Sequence, residues 1–159
     1  MKEVSGDILL TGAQALAHGV AVDDDFKHGV GAELKEMWPS LYKDFRHFCK
    51  THSPKEGDVW AWKGPGTPVI FNLFTQAKPK SDGGLPGKAS LSNVHHALKN
   101  LSKELNDQSL QSVAITKLAT GVGGLDWNEV KATMERDLSG YNGKVIIYST
   151  FKAKQKAEE

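Results

Sequence analysis

The apolar positions fall into two kinds of run, short continuous ones and longer ones of helical period. Ala15 to Val22 is small and apolar apart from His18. Val69-Ile70-Phe71-Asn72-Leu73-Phe74-Thr75, Val113-Ala114-Ile115 and Val145-Ile146-Ile147-Tyr148 read the same way. Strands without polar alternation are covered on both faces. Lys2-Glu3-Val4 is short and predicts an edge strand. Val59-Trp60-Ala61-Trp62 favours strand through its aromatic and β-branched residues. The Ser90 hydroxyl is placed to cap a helix carrying Leu91, Val94, Leu98, Leu101 and Leu105. A further helix runs from Trp127 through Val130 and Met134 to Leu138. Leu34, Met37 and Trp38 share a face of an earlier helix, which Pro39-Ser40 breaks. Ser40 is placed to cap the next one, with Leu41, Phe45 and Phe48 on its apolar face.

Doubly covered strands separated by helices predict an α/β domain with helices on both sheet faces. In such sheets ligands sit outside the carboxyl ends of the strands. Three loops follow buried strands and would converge there: 23–31, 75–89 and 119–126. The third, Ala119-Thr120-Gly121-Val122-Gly123-Gly124-Leu125-Asp126, packs three glycines into four positions before a helix. Such a turn is either a tight connection or a cradle in which backbone amides and a helix N-terminus hold a phosphate. The loop Asp23-Asp24-Asp25-Phe26-Lys27-His28-Gly29-Val30-Gly31 repeats the arrangement. Convergence of the loops favours the phosphate reading over the plain connection. The stretch from Gln76 to Gly87 is long and polar, and loops of that length in compact domains are usually functional or mobile.

Composition narrows the choice. At 159 residues the chain predicts one domain with a real core. A net charge of +1 supplies no field toward nucleic acid or an anionic membrane, and neither partner is expected. The single cysteine, Cys49, rules out an internal disulfide and points to a reducing, cytoplasmic setting. No apolar run has signal-peptide or membrane-spanning character. The charged stretch 152–159 lacks large apolar residues and predicts a frayed tail or an exposed helical extension.

Known chemistries are mostly absent. Neither glycine loop has the lysine and hydroxyl of a triphosphate-binding loop, and neither matches the dinucleotide fingerprint. His95 and His96 are adjacent and diverge, while His47, Cys49 and His52 lack a fourth ligand, so no metal site and no cofactor are expected. Cys49 reads as packed. The triple aspartate is either a solvated turn or, beside a phosphate cleft, a set of groups able to orient water or meet ribose hydroxyls. His18 is either a hydrogen-bonded core histidine or an acid, base or phosphate contact.

Four motifs resemble the macrodomains, which bind ADP-ribose: Gly6-Asp7-Ile8; Ala17-His18 with Lys27-His28-Gly29-Val30-Gly31-Ala32; Phe71-Asn72-Leu73-Phe74-Thr75; and Ala119 to Trp127. The last is similar to the family's diphosphate loop, Gly-x-Gly-x-Gly-Gly-Leu-x-Trp. The resemblance implies a three-layer α/β/α macrodomain with a mixed central sheet over residues 1–151. It is to the small single-domain branch, which includes ADP-ribose-1″-phosphate phosphatases and terminal ADP-ribose glycohydrolases. It implies that Asp7, with Ile8, reads adenine, and that Tyr148 or Phe151 packs on the ring, although Tyr148 equally suits the core. Ala119, Thr120, Gly121, Val122, Gly123, Gly124 and Leu125 would hold the diphosphate. Lys27, His28, Gly29, Val30 and Gly31 would hold the neighbouring phosphate and distal ribose, which Thr75 and Gln76 border. His18 with Asp23 or Asp25 would carry acid–base work on a 1″-phosphate. Three positions depart from the nearest glycohydrolases: Gln76 stands where they place a lysine, Gly123 where they place an aspartate, and Ala21 where they place a serine. The implied function is binding of ADP-ribose and hydrolysis of a derivative, of the 1″-phosphatase type. The alternatives are a reader without chemistry and a hydrolase of ADP-ribosylated protein.

Overall fold

A computed structural model describes all residues, 1–159. In chain order the elements are β1 (Lys2–Gly6), a single 3-10 turn (Ile8–Leu10), β2 (Ala15–Ala21), α1 (Gly29–Met37), α2 (Pro39–His52), β3 (Val59–Trp62), β4 (Val69–Gln76), α3 (Leu91–Asp107), β5 (Ser112–Thr116), α4 (Trp127–Asp137) and β6 (Lys144–Phe151). The six strands form one sheet in the order β1-β6-β5-β2-β4-β3. All neighbours are parallel except the β4–β3 pair, so the sheet is mixed.

The absence of alternation has a direct cause. Odd-numbered residues such as Ala15, Phe71, Leu73, Val113 and Ile147 face the layer built by α3 and α4. The even-numbered Leu16, Ile70, Phe74, Ala114 and Ile146 face α1 and α2. Both faces are buried, so most positions of the inner strands are apolar, with His18 and Asn72 among the buried exceptions. Every residue of β4, covered by β2 and β3 at its sides and by helices on its faces, is buried.

Local signals hold with three exceptions. Ser90 caps α3 by accepting from the Asn93 amide at 3.1 Å. Ser40 does not cap α2: Trp38 occupies the N-cap and Pro39 the first turn, where its missing N–H costs nothing. Met37 does not share the buried face of Leu34 and is 47% exposed. The third exception is the tail. Residues 152–159 neither fray nor form a helix. They turn back past the end of β1, where the Asp7 amide donates to the Gln155 carbonyl at 2.7 Å and the Lys152 amide to the Gly6 carbonyl at 3.1 Å. Ala157 is buried against Gly6, where a Cβ would come within 2.9 Å of the Ala157 Cβ. No helix is long and apolar enough to cross a membrane.

Candidate functional site

At the carboxyl ends of the central strands lies a cavity of about 470 Å³. The three loops marked in the sequence do converge on it. Asp24 and His28 to Gly31 come from the first loop, Gln76 and Pro86 from the second, and Ala119, Gly121, Val122 and Gly123 from the third. Ile8, Tyr148 and Phe151 line it from the β1–β6 side, and His18 from β2.

Backbone amides dominate its chemistry. α1 begins at Gly29, and its N-cap residue, His28, makes no side-chain capping bond. The amides of Gly29, Val30 and Gly31 have no acceptor within the chain. In the third loop the Leu125 amide closes onto the Ala119 carbonyl at 3.0 Å, and the Gly124 amide onto Gly121 at 3.0 Å. Those bonds hold a tight turn with Ala119 at φ 61° and Gly124 at φ 78°. The amides of Thr120, Gly121, Val122 and Gly123 remain unbonded. An open helix terminus and a turn with free amides on one cavity make a site for two linked anionic groups. The glycine loop was expected to draw on the helix that follows it, but α4 is capped by its own Asp126, which accepts from the Glu129 amide at 3.2 Å. The open terminus belongs to α1.

Glycine is required at two points here. A Cβ on Gly123 would stand 2.6 Å from the Ala119 carbonyl oxygen, so this turn admits no side chain at 123. A Cβ on Gly19 would stand 2.8 Å from the Thr75 hydroxyl. That hydroxyl is buried and has no partner.

His18 is 2% exposed and lies edge-on to Phe26. Its Nε2 is 2.7 Å from Asn72 Oδ1. Asn72 Nδ2 donates to the Trp60 carbonyl at 3.1 Å, which turns Oδ1 toward the ring. Nε2 therefore carries the proton, and Nδ1 is left as an acceptor. Burial pushes the imidazole pKa down to about 4, so the ring is neutral at physiological pH.

The three aspartates separate. Asp24 lines the cavity and accepts from the Ala21 amide at 3.1 Å and the Phe26 amide at 3.0 Å. Burial holds its carboxyl above the ordinary range, against those two bonds. Asp23 turns away to Lys78 at 2.9 Å, and Asp25 accepts from the Lys27 amide at 3.1 Å. Neither Asp23 nor Asp25 lines the cavity, and they line a separate polar groove with Lys27. Of the remaining expected contacts, Asp7, Thr75, Thr120, Gly124 and Leu125 do not line the cavity. Gly6, Gly19, Thr116, Lys117, Leu118 and Ser149 join its lining unforeseen. Their common signal is position, since each sits at or next to the carboxyl end of a parallel strand.

Fold and cavity together define a class, a three-layer α/β domain that presents backbone amides to an anion at the ends of its parallel strands. The Macro domain family model matches residues 13–134, most of the chain, and the chain belongs to that family. It is 27% identical over 152 residues to a DNA ADP-ribosyl glycohydrolase of Thermus aquaticus, covering 93% of this chain and 41% of that protein. A DNA ADP-ribosyl glycohydrolase of Mycobacterium tuberculosis is 26% identical over 80% of this chain and 35% of its own length. The chain thus spans about two fifths of the curated relatives it matches. Among solved structures, the macrodomain of Thermus aquaticus DarG superposes with a TM-score of 0.81 at 26% identity, over 93% of this chain and 97% of that one. Thermosipho africanus DarTG in complex with ADP-ribose superposes at 0.79 with 19% identity, over 94% of this chain and 41% of that one.

Proposed function

We propose that the cavity binds ADP-ribose. The observation that carries this reading is the pairing of two unbonded amide sets, at Gly29 to Gly31 and at Gly121 to Gly123, on one cavity that also holds Tyr148 and Phe151. The amides suit a diphosphate, and the aromatic rings suit a purine. In this reading the loop 119–125 holds the diphosphate, the start of α1 meets the phosphate next to the distal ribose, and Gln76 borders that ribose. Asp7 reads adenine from beside the cavity. Calorimetry with ADP-ribose tests it: one equivalent binds below millimolar concentration, and absence of heat at millimolar ligand overturns the reading.

A second reading is hydrolysis of an ADP-ribosyl derivative at the distal ribose, favoured by the names of the relatives. Asp24, neutral His18 and His28 are titratable side chains of the cavity on the side of α1, and the 1″-phosphate ester and glycosidic links to protein or DNA are the substrate types. Gln76 stands where the resemblance places a lysine. Phosphate release from ADP-ribose-1″-phosphate, and ADP-ribose release from modified protein and modified DNA, separate these substrates. Gln76→Lys raises glycosidic turnover if the missing lysine limits it. A buried free thiol at Cys49 supports a reducing, cytoplasmic setting.

A further inference from the structure

The C-terminal segment is joined to the adenine end of the cavity by specific bonds. The Lys154 amide donates to Asp7 Oδ2 at 3.0 Å, while the Leu9 amide donates to Oδ1 at 3.1 Å. Both carboxylate oxygens are thus fixed, one by the opening motif and one by the tail. Lys154 reaches Asp7 from a left-handed conformation, φ 60°, within the turn closed by the Gln155 amide on Lys152. Glu159 anchors the far end. Its carboxylate accepts from the Thr11 hydroxyl, from the Gly12 amide at 2.9 Å and from the Tyr148 hydroxyl at 2.5 Å. Tyr148 lines the cavity, whereas no residue of 152–159 does. The segment therefore does not plug the cavity, and it bears on Asp7 and Tyr148 from outside.

We propose that residues 152–159 are a specificity element that positions the Asp7 carboxylate and the Tyr148 ring for a 6-amino purine. The proposal rests on the ADP-ribose reading of the cavity. Two donors leave a carboxylate with about two of its four lone-pair sites for a ligand, in an orientation set by the backbone. Adenine offers an N6 amino donor there. Hypoxanthine offers a carbonyl oxygen, which a carboxylate repels. Without the Lys154 bond and the Glu159 anchor the carboxylate is held by the Leu9 amide alone, its second oxygen is free to shift, and the preference for the amino group weakens.

The test compares ADP-ribose with its hypoxanthine counterpart by calorimetry, on the full chain, on Glu159→Ala and on a chain ending at Lys152. The full chain prefers the adenine ligand. Shortening reduces that preference about tenfold, on the scale of one hydrogen bond to a charged group, and Glu159→Ala reduces it less. Affinity for ribose 5-phosphate, which lacks a base, is unchanged. If both variants keep the full preference, or lose affinity for all three ligands equally, the tail is only structural and the proposal is overturned. Should the shortened chain not fold, Glu159→Ala decides alone. A full chain that binds no ADP-ribose overturns the reading of the cavity, and this proposal with it.

Discussion

His18 and Asn72 are register partners on adjacent parallel strands, and their side chains meet at 2.7 Å. The bond ties β2, which lends His18 to the cavity wall, to β4 beside it. The neutral ring it holds makes stability pH-dependent. The pKa lies near 4 in the folded chain against 6.5 in the unfolded one, so the unfolded state binds the proton more readily. The contribution is complete above pH 6.5 and is lost as pH falls toward 4, by up to about 3 kcal/mol. Denaturant unfolding across this range shows the loss, and His18→Phe flattens it.

Asp24 acts differently from its neighbours. Removing its carboxylate leaves the Ala21 and Phe26 amides without their acceptor and loosens the loop that opens α1. Asp24→Ala is expected to cost about 1–3 kcal/mol and to weaken ADP-ribose binding at least tenfold. Asp23→Ala and Asp25→Ala, altered outside the cavity, leave affinity within about twofold. Thermal unfolding and calorimetry on the three variants check the order.

Thr75 carries a buried hydroxyl with no partner, pressed against the position a Gly19 Cβ would take. Thr75→Val keeps the shape and removes the unsatisfied group. Stability is expected to rise by up to about 1 kcal/mol, read as a higher Tm. Since Thr75 does not line the cavity, ADP-ribose affinity stays within about twofold, and a larger drop would show that the hydroxyl reaches the ligand.

Gly123 stands where the resemblance places an aspartate, yet the turn here has no room for one, with the Ala119 carbonyl 2.6 Å from the position of a Cβ. Gly123→Asp therefore does not restore the loop that the resemblance implies. It forces the turn open, misaligns the amides of Thr120 to Val122, and lowers ADP-ribose affinity more than about tenfold. Titration of this variant beside Gly121→Ala separates space from sequence, because a Cβ on Gly121 meets nothing within 4 Å.

The sequence by itself determined the layers and the end of the sheet at which the cavity forms. Doubly buried strands such as Val69 to Thr75 leave an apolar record broken only by Asn72 and the closing threonine, and the glycines at 123 and 124 mark a turn because few other residues tolerate it. Only the tertiary structure decided which group of each loop faces inward. Asp23, Asp24 and Asp25 are chemically identical in a loop that has no period. Their division follows from the Ala21 and Phe26 amides capturing Asp24 and from Lys78 drawing Asp23 outward. The same holds for the helix ends, where Asp126 closed α4 and His28 left α1 open. The tail was the least legible part. A charged octapeptide reads as solvated until the fold brings Asp7, Thr11 and Tyr148 within reach, and the bond from Lys154 to Asp7 joins residues 147 apart in the chain.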